Sequence, residues 1–154
     1  MDILEAIQAI EKINIHSAVS DVIENTSDIM EELQREQFSE GIESTGDLIT
    51  WKKGIRKDNR YPYTKAYERR KEKLGGDISV VNLNLGQKYW DSIKASISGE
   101  DIEFKGTSRL TEFLDENYGN QKYGLTDDNK EKYMETFVPE FIQIIEAQSG
   151  FQFN

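Results

Sequence analysis

Val19-Ser20-Asp21-Val22-Ile23-Glu24-Asn25-Thr26-Ser27-Asp28-Ile29-Met30-Glu31-Glu32-Leu33-Gln34-Arg35-Glu36-Gln37-Phe38 decides the fold. Val22, Ile23, Thr26, Ile29, Met30, Leu33, Gln37 and Phe38 recur at steps of three and four, and acids fill the positions between them. That period is an amphipathic helix with one apolar stripe and one charged face. Ahead of it, Ile3, Leu4, Ile7, Ile10 and Ile13 with Ala6 and Ala9 form a shorter helical pattern. A break is expected in the β-branched and polar run Ile15 to Ser20, or the two helices run on continuously. Gly41 and Gly46 supply the backbone freedom a helix stop needs.

Beyond the helices the period changes. Ile93, Ala95, Ile97 and then Ile102, Phe104 alternate on either side of Ser98-Gly99-Glu100, which reads as a β-hairpin. Ile78, Val80, Val81, Leu83 and Leu85 alternate in part and predict a further strand, making an antiparallel meander of about three strands. Thr107-Ser108 caps a short helix holding Leu110, Phe113 and Leu114 that stops near Gly119. Thr126 opens a C-terminal helix with Asp127 and Asp128 at its positive end. Its stripe of Tyr133, Met134, Phe137, Val138, Phe141, Ile142 and Ile145 should lie across the sheet, with a kink at Pro139. The fold class is therefore α+β. The length of 154 residues suits one domain, since folded units commonly run about 100 to 200 residues. Within it, residues 1–42 form a helical arm, 43–76 a basic loop with a short helix from Lys65 to Leu74, and 77–154 the sheet with its helices.

Charge is sorted along the chain. Met1 to Asp47 carries twelve acids against two bases, Leu48 to Gly75 ten bases against three acids, and the remainder fourteen acids against seven bases. An acidic arm followed by a basic block suits contact between copies, because one copy's negative surface can meet the next copy's positive one. The candidate interface residues in the basic block are Lys52, Lys53, Arg56, Lys57, Arg60, Arg69, Arg70 and Lys71. On the acidic helix they are Asp28, Glu31, Glu32, Glu36 and Glu40, facing a neighbour or a channel. The plainer alternative is that each block is a solvated face of one monomer.

Catalytic chemistry finds little footing. There is no cysteine, which excludes disulfides, thiolate metal sites and thiol nucleophiles. His16 is the only histidine and has aliphatic or small helical neighbours, so a packed or surface role is expected. Asp127, Asn129, Glu131 and Glu135 superficially follow a calcium loop, but Lys132 stands where glycine is needed and Val138 where the bidentate glutamate belongs. Gly75-Gly76 lacks the spacing of a phosphate loop. Neither an enzyme nor a cofactor is expected. Met1 to Glu5 lacks a basic leader, and no stretch approaches roughly 18 apolar residues, so no membrane association is expected. Trp51, Tyr61, Tyr63 and Tyr67 interleave with the basic block and could stack on bases, yet the acidic surroundings limit nucleic acid to loose, sequence-independent contact.

The order of these features resembles a known family. Gln34 and Gln37-Phe38 precede Gly41 and Gly46; Tyr61-Pro62 and Thr64 lead into a helix with Tyr67 and Lys71; Val81 and Leu83 run into Leu85-Gly86, Tyr89 and Ser92-Ile93. This resembles the tail-completion and virion-morphogenesis proteins of the tailed-phage neck. Leu110, Phe113-Leu114, Tyr118-Gly119 and Tyr123-Gly124-Leu125-Thr126 with Asn129 look like versions carried by phages of gut Bacteroidetes, including crAss-like phages. The likeness covers about Leu33 to Phe141; it departs in having Leu85 where the family has threonine, and in its long acidic helix. It implies a non-catalytic ring subunit of six or twelve copies, set between portal or adaptor and tail proteins around a DNA passage. The implied locations are the virion's head-tail joint and, during assembly, the host cytoplasm. The rival expectation is an acidic protein that occupies a host factor's DNA-binding surface in the manner of a DNA mimic; the basic block fits that poorly.

Overall fold

The computed structural model describes residues 3–52, 65–84 and 86–152. The order is α1 (Ile3–Glu11), α2 (Ile15–Ser39), α3 (Lys65–Lys73), α4 (Lys88–Asp91), β1 (Ile93–Ser98), β2 (Asp101–Gly106), α5 (Thr111–Tyr118), a 3-10 turn (Asn120–Lys122) and α6 (Asp127–Ser149). The class is α+β.

The break between α1 and α2 comes earlier than the sequence suggested, because Asn14 caps α2. Its side-chain oxygen accepts from the Ser17 N–H at 3.0 Å, satisfying one of the amides that a helix start leaves orphaned. The run from Ile15 to Ser20 then continues as helix, since packing overrides a weak β-branched preference. At the other end Gly41, at φ +71°, closes α2: Ile42 N–H reaches Gln37 O and Gly41 N–H reaches Phe38 O. That pair of bonds is a Schellman stop.

α6 runs antiparallel to α2, because Asn129 meets Leu33 and Gln37, Tyr133 meets Thr26, and Gln148 meets Asn14. Thr126 caps α6 by accepting from the Asn129 N–H, as its sequence foretold. Pro139 lies within α6 and the helix continues through it to Ser149, forgoing one backbone bond.

Among the described residues the sheet has two strands rather than the expected three or so. Ile93 pairs with Gly106, Ala95 with Phe104 and Ile97 with Ile102, around a two-residue turn in which Gly99 takes φ +65°. The expected strand from Ile78 onward is irregular because local side chains capture its backbone. Asp77 accepts from Ser79 N–H at 2.8 Å, Asn82 from Asn84 N–H at 3.1 Å, and Asn84 from Gln87 N–H at 2.9 Å, while Leu83 sits at φ +55°. Asx bonds of this kind compete directly with a ladder. Val81 and Leu83 are still buried, which explains their apolar signal.

Two clusters form the core. Ile23, Met30 and Leu33 of α2 pack with Ala95 of β1 and Leu125 and Tyr133 beside and on α6, which brings α6 to the sheet region. Phe38, Ile49, Val81, Leu83, Tyr89, Ile93, Leu114 and Tyr118 gather at the C-terminal end of α2. Full burial of a side chain such as Phe38 or Ile93 contributes roughly 1.5 to 3 kcal/mol. Phe104 packs against both clusters, so the hairpin joins them.

Candidate functional site

The two long helices leave one face of α2 to solvent, and its chemistry is uniform. Glu24, Asp28, Glu32, Glu36 and Glu40 are all exposed and stand four residues apart, so one carboxylate follows another every about 6 Å. None of the five has an ion-pair partner among the described residues. Like charges at this spacing disfavour the helix by about 0.2 to 0.5 kcal/mol per pair. Glu36 and Glu40 also crowd the negative end of the helix dipole, where α2 has no base in its last turn. Several local preferences are thus overridden with no compensating ion pair among the described residues, a pattern expected of a surface that serves something outside it.

Glu31 does not belong to this ridge. It is buried between α2 and β1, where its carboxylate binds Arg35 at 3.3 Å, Lys94 at 3.1 Å and the Ala95 N–H at 3.2 Å. Its role is to fasten the helix to the hairpin, and it offers nothing to a neighbour or a channel. Asp28, Glu32, Glu36 and Glu40 remain on the surface, as expected.

The basic block divides in the same way. Lys53, Arg56, Lys57 and Arg60 lie outside the described residues, as do Tyr61 and Tyr63. Arg69 and Arg70 are exposed on α3. Lys71 is buried instead, its Nζ donating to Asn82, and burial pulls its ammonium down to about 8 against a smaller opposing pull from Asp77. Lys52 is exposed and pairs with the buried Glu43 at 3.3 Å, one case in which the two charge blocks meet within the chain. Trp51 packs edge-on against Tyr118 at 5.6 Å, so it is engaged with the core rather than presented for base stacking.

A buried polar network escaped the sequence reading. Tyr89 donates to the Tyr123 hydroxyl at 2.8 Å, Tyr123 donates to Asp115 at 2.9 Å, and fully buried Lys122 binds Asp115 and the Gly119 carbonyl. Burial is the largest cause of each shift: it raises both phenols, Tyr123 up to about 12, and lowers Lys122 against the attraction of Asp115. Both phenols therefore stay protonated near neutrality and neither can act as a base there. The network pins the 3-10 turn to the start of the hairpin. Its members come from separate segments, and no local pattern links them.

The buried amides of Gln34 and Gln37 do comparable work. Gln34 donates to Lys122 O at 3.2 Å and accepts from Gly124 N–H at 2.7 Å. Gln37 donates to Gly124 O and accepts from Thr126 N–H, each at 2.9 Å. They serve as side-chain substitutes for a strand partner along residues 122–126. His16 is exposed in the first turn of α2, and among the described residues no group of three or more His, Asp or Glu is placed to hold a metal ion. Asp127 binds Lys130 at 2.9 Å, which holds its carboxyl below the ordinary range.

Apolar surface is concentrated at the two ends of the body. Ile3, Leu4, Ile7 and Ile10 project from α1 with exposures of 79, 68, 48 and 62%. At the other end, Leu110 and Phe113 are exposed beside a groove of about 220 Å³ that Tyr67, Arg70, Val81 and Leu83 also line. Met134, Val138 and Ile142 make a further exposed stripe on α6. Among the described residues no helix is long and apolar enough to cross a membrane. Comparisons with family models, with curated proteins and with solved structures found no match.

Proposed function

We propose that this chain is a non-catalytic ring subunit of the head-to-tail connector of a tailed bacteriophage, joining portal or adaptor to tail around the DNA passage. The observation that carries the reading is the ridge Glu24, Asp28, Glu32, Glu36 and Glu40, which is unneutralised among the described residues and held against helix preference. Repeated around a ring, such ridges give a passage wall that repels phosphates, so that DNA slides instead of sticking. The exposed Arg69 and Arg70 supply the opposite sign for an adjoining ring. The resemblance of Gln34, Gln37, Gly41, Gly46 and Gly86 with their spacing to phage neck proteins gives the reading its place in the virion.

Negative-stain images of the purified protein, alone and with portal and tail components, test it. Closed rings with a central opening, and co-purification with those components, are expected. A protein that stays monomeric at its highest attainable concentration and binds none of them ends the proposal.

The same regular ridge favours one other reading, an acidic protein that covers a host factor's DNA-binding surface. Retrieval of a host nuclease or transcription factor from lysate, with no virion protein, would select it.

A further inference from the structure

We infer that the joint between neighbouring copies is made by α1 of one chain seated in the α3–α5 groove of the next; this rests on the ring reading above. α1 presents Ile3, Ile7 and Ile10 at the i, i+4, i+7 spacing with which an amphipathic helix enters an apolar groove. Only Ala9 of α1 is buried against the rest of its own chain. The groove is lined by Tyr67, Val81, Leu83, Leu110 and Phe113, with Arg70 at its edge. Leu110 and Phe113, like the isoleucines, are large apolar groups left facing water.

Charge selects the same pairing. Glu5 and Glu11 are the only charged residues of α1 and both are acidic, whereas the one charged residue that lines the groove is Arg70, with exposed Arg69 beside it in sequence on α3. An acidic, isoleucine-rich helix is therefore matched to an apolar slot whose one lining charge is basic.

Distance excludes the same chain as the occupant. α1 leaves α2 at Asn14, which is anchored to Gln148 at the C-terminal end of α6. The groove adjoins Phe38 at the far end of α2, about 35 Å away along the helix axis. The nine residues of α1 and the two-residue link behind them span about 20 Å at most. α1 cannot reach its own groove, so any such seat is on another copy. An arm at one end and a socket at the other make a head-to-tail contact, the type that closes into a ring when the rotation between copies permits.

Two exposed single substitutions in the full chain test this, with circular dichroism confirming that each folds. Ile7→Asp spoils the arm and Phe113→Asp spoils the socket. Sedimentation should find the wild type as multimers, each variant as a monomer, and an equal mixture of the two variants as dimers. Only one intact joint exists in that mixture, so growth stops at two. Variants that assemble like the wild type, or a mixture that stays monomeric, overturn the inference. Rings that persist unchanged in both variants overturn the joint while leaving the ring reading in place. Dimers in the mixture, with open filaments in place of rings for the wild type, keep the joint and remove the ring reading.

Discussion

The hydroxyls of Thr26 and Tyr133 lie 2.7 Å apart inside the seam between α2 and α6. Thr26 already donates to the Val22 carbonyl at 2.7 Å, so the Tyr133 hydroxyl is the donor of the pair. The two deletions should therefore differ. Tyr133→Phe removes a donor and leaves Thr26 bonded, at a cost of about 1 kcal/mol. Thr26→Val strands a buried phenol and should cost about 2 to 3 kcal/mol. Urea midpoints of the two variants test the order.

Adjacent acids on α2 should respond in opposite directions. Glu31→Ala strands the buried Ala95 N–H and removes the carboxylate shared by the more exposed Arg35 and Lys94, so it should lower stability by about 1 to 3 kcal/mol. Glu32→Gln relieves repulsion along the ridge and should raise stability by a few tenths of a kcal/mol, roughly 0.2 to 0.5 for each like-charge contact relieved. That gain should shrink with added salt. Denaturant melts at low and high salt resolve both.

Stability should rise with pH before it falls. Lys71, lowered to about 8 by burial, binds its proton less readily folded than unfolded, so its charge opposes folding below about pH 8. This penalty is relieved as pH climbs from about 8 toward the ordinary lysine value, by at most about 3 kcal/mol. Lys122, lowered by the same cause, acts in the same direction. Tyr123, raised up to about 12, favours folding fully below its unfolded value and loses that contribution as pH rises toward 12. Urea midpoints measured across this range should climb and then drop, and Lys71→Met should flatten part of the climb.

Gly41→Ala should destabilise the chain by about 2 to 4 kcal/mol. The added carbon would sit at φ +71° and 2.7 Å from the Val80 Cβ, so backbone strain and overlap act together. Gly46→Ala has no such neighbour and should cost only the conformational part, about 1 to 2 kcal/mol. Thermal melts of the pair separate the two contributions.

Periodicity revealed the elements whose neighbours in sequence are also their neighbours in space. The stripe from Val22 to Phe38, the Thr126 cap and the turn at Gly99 follow from local spacing, and the structure places them accordingly. Rotation of about 100° between consecutive helical residues is what composition cannot resolve. Glu31 and Glu32 look alike in a charge run, yet one is interior and the other solvated; Arg70 and Lys71 repeat the case. The missing third strand has a different cause. Its alternation was genuine, but Asp77, Asn82 and Asn84 offered the backbone nearer partners than a ladder would. The Tyr89, Tyr123, Asp115 and Lys122 network depends on tertiary placement, which no local window contains.

The amide bonds of Gln34, Gln37 and Asn129 fix where α6 begins relative to α2. Greasy seams tolerate slippage by a helical turn, but directional bonds must all be lost together before either rod can move along the other. The register of the two rods is thereby keyed at the start of α6, so that any sliding of the seam must first break these oriented bonds.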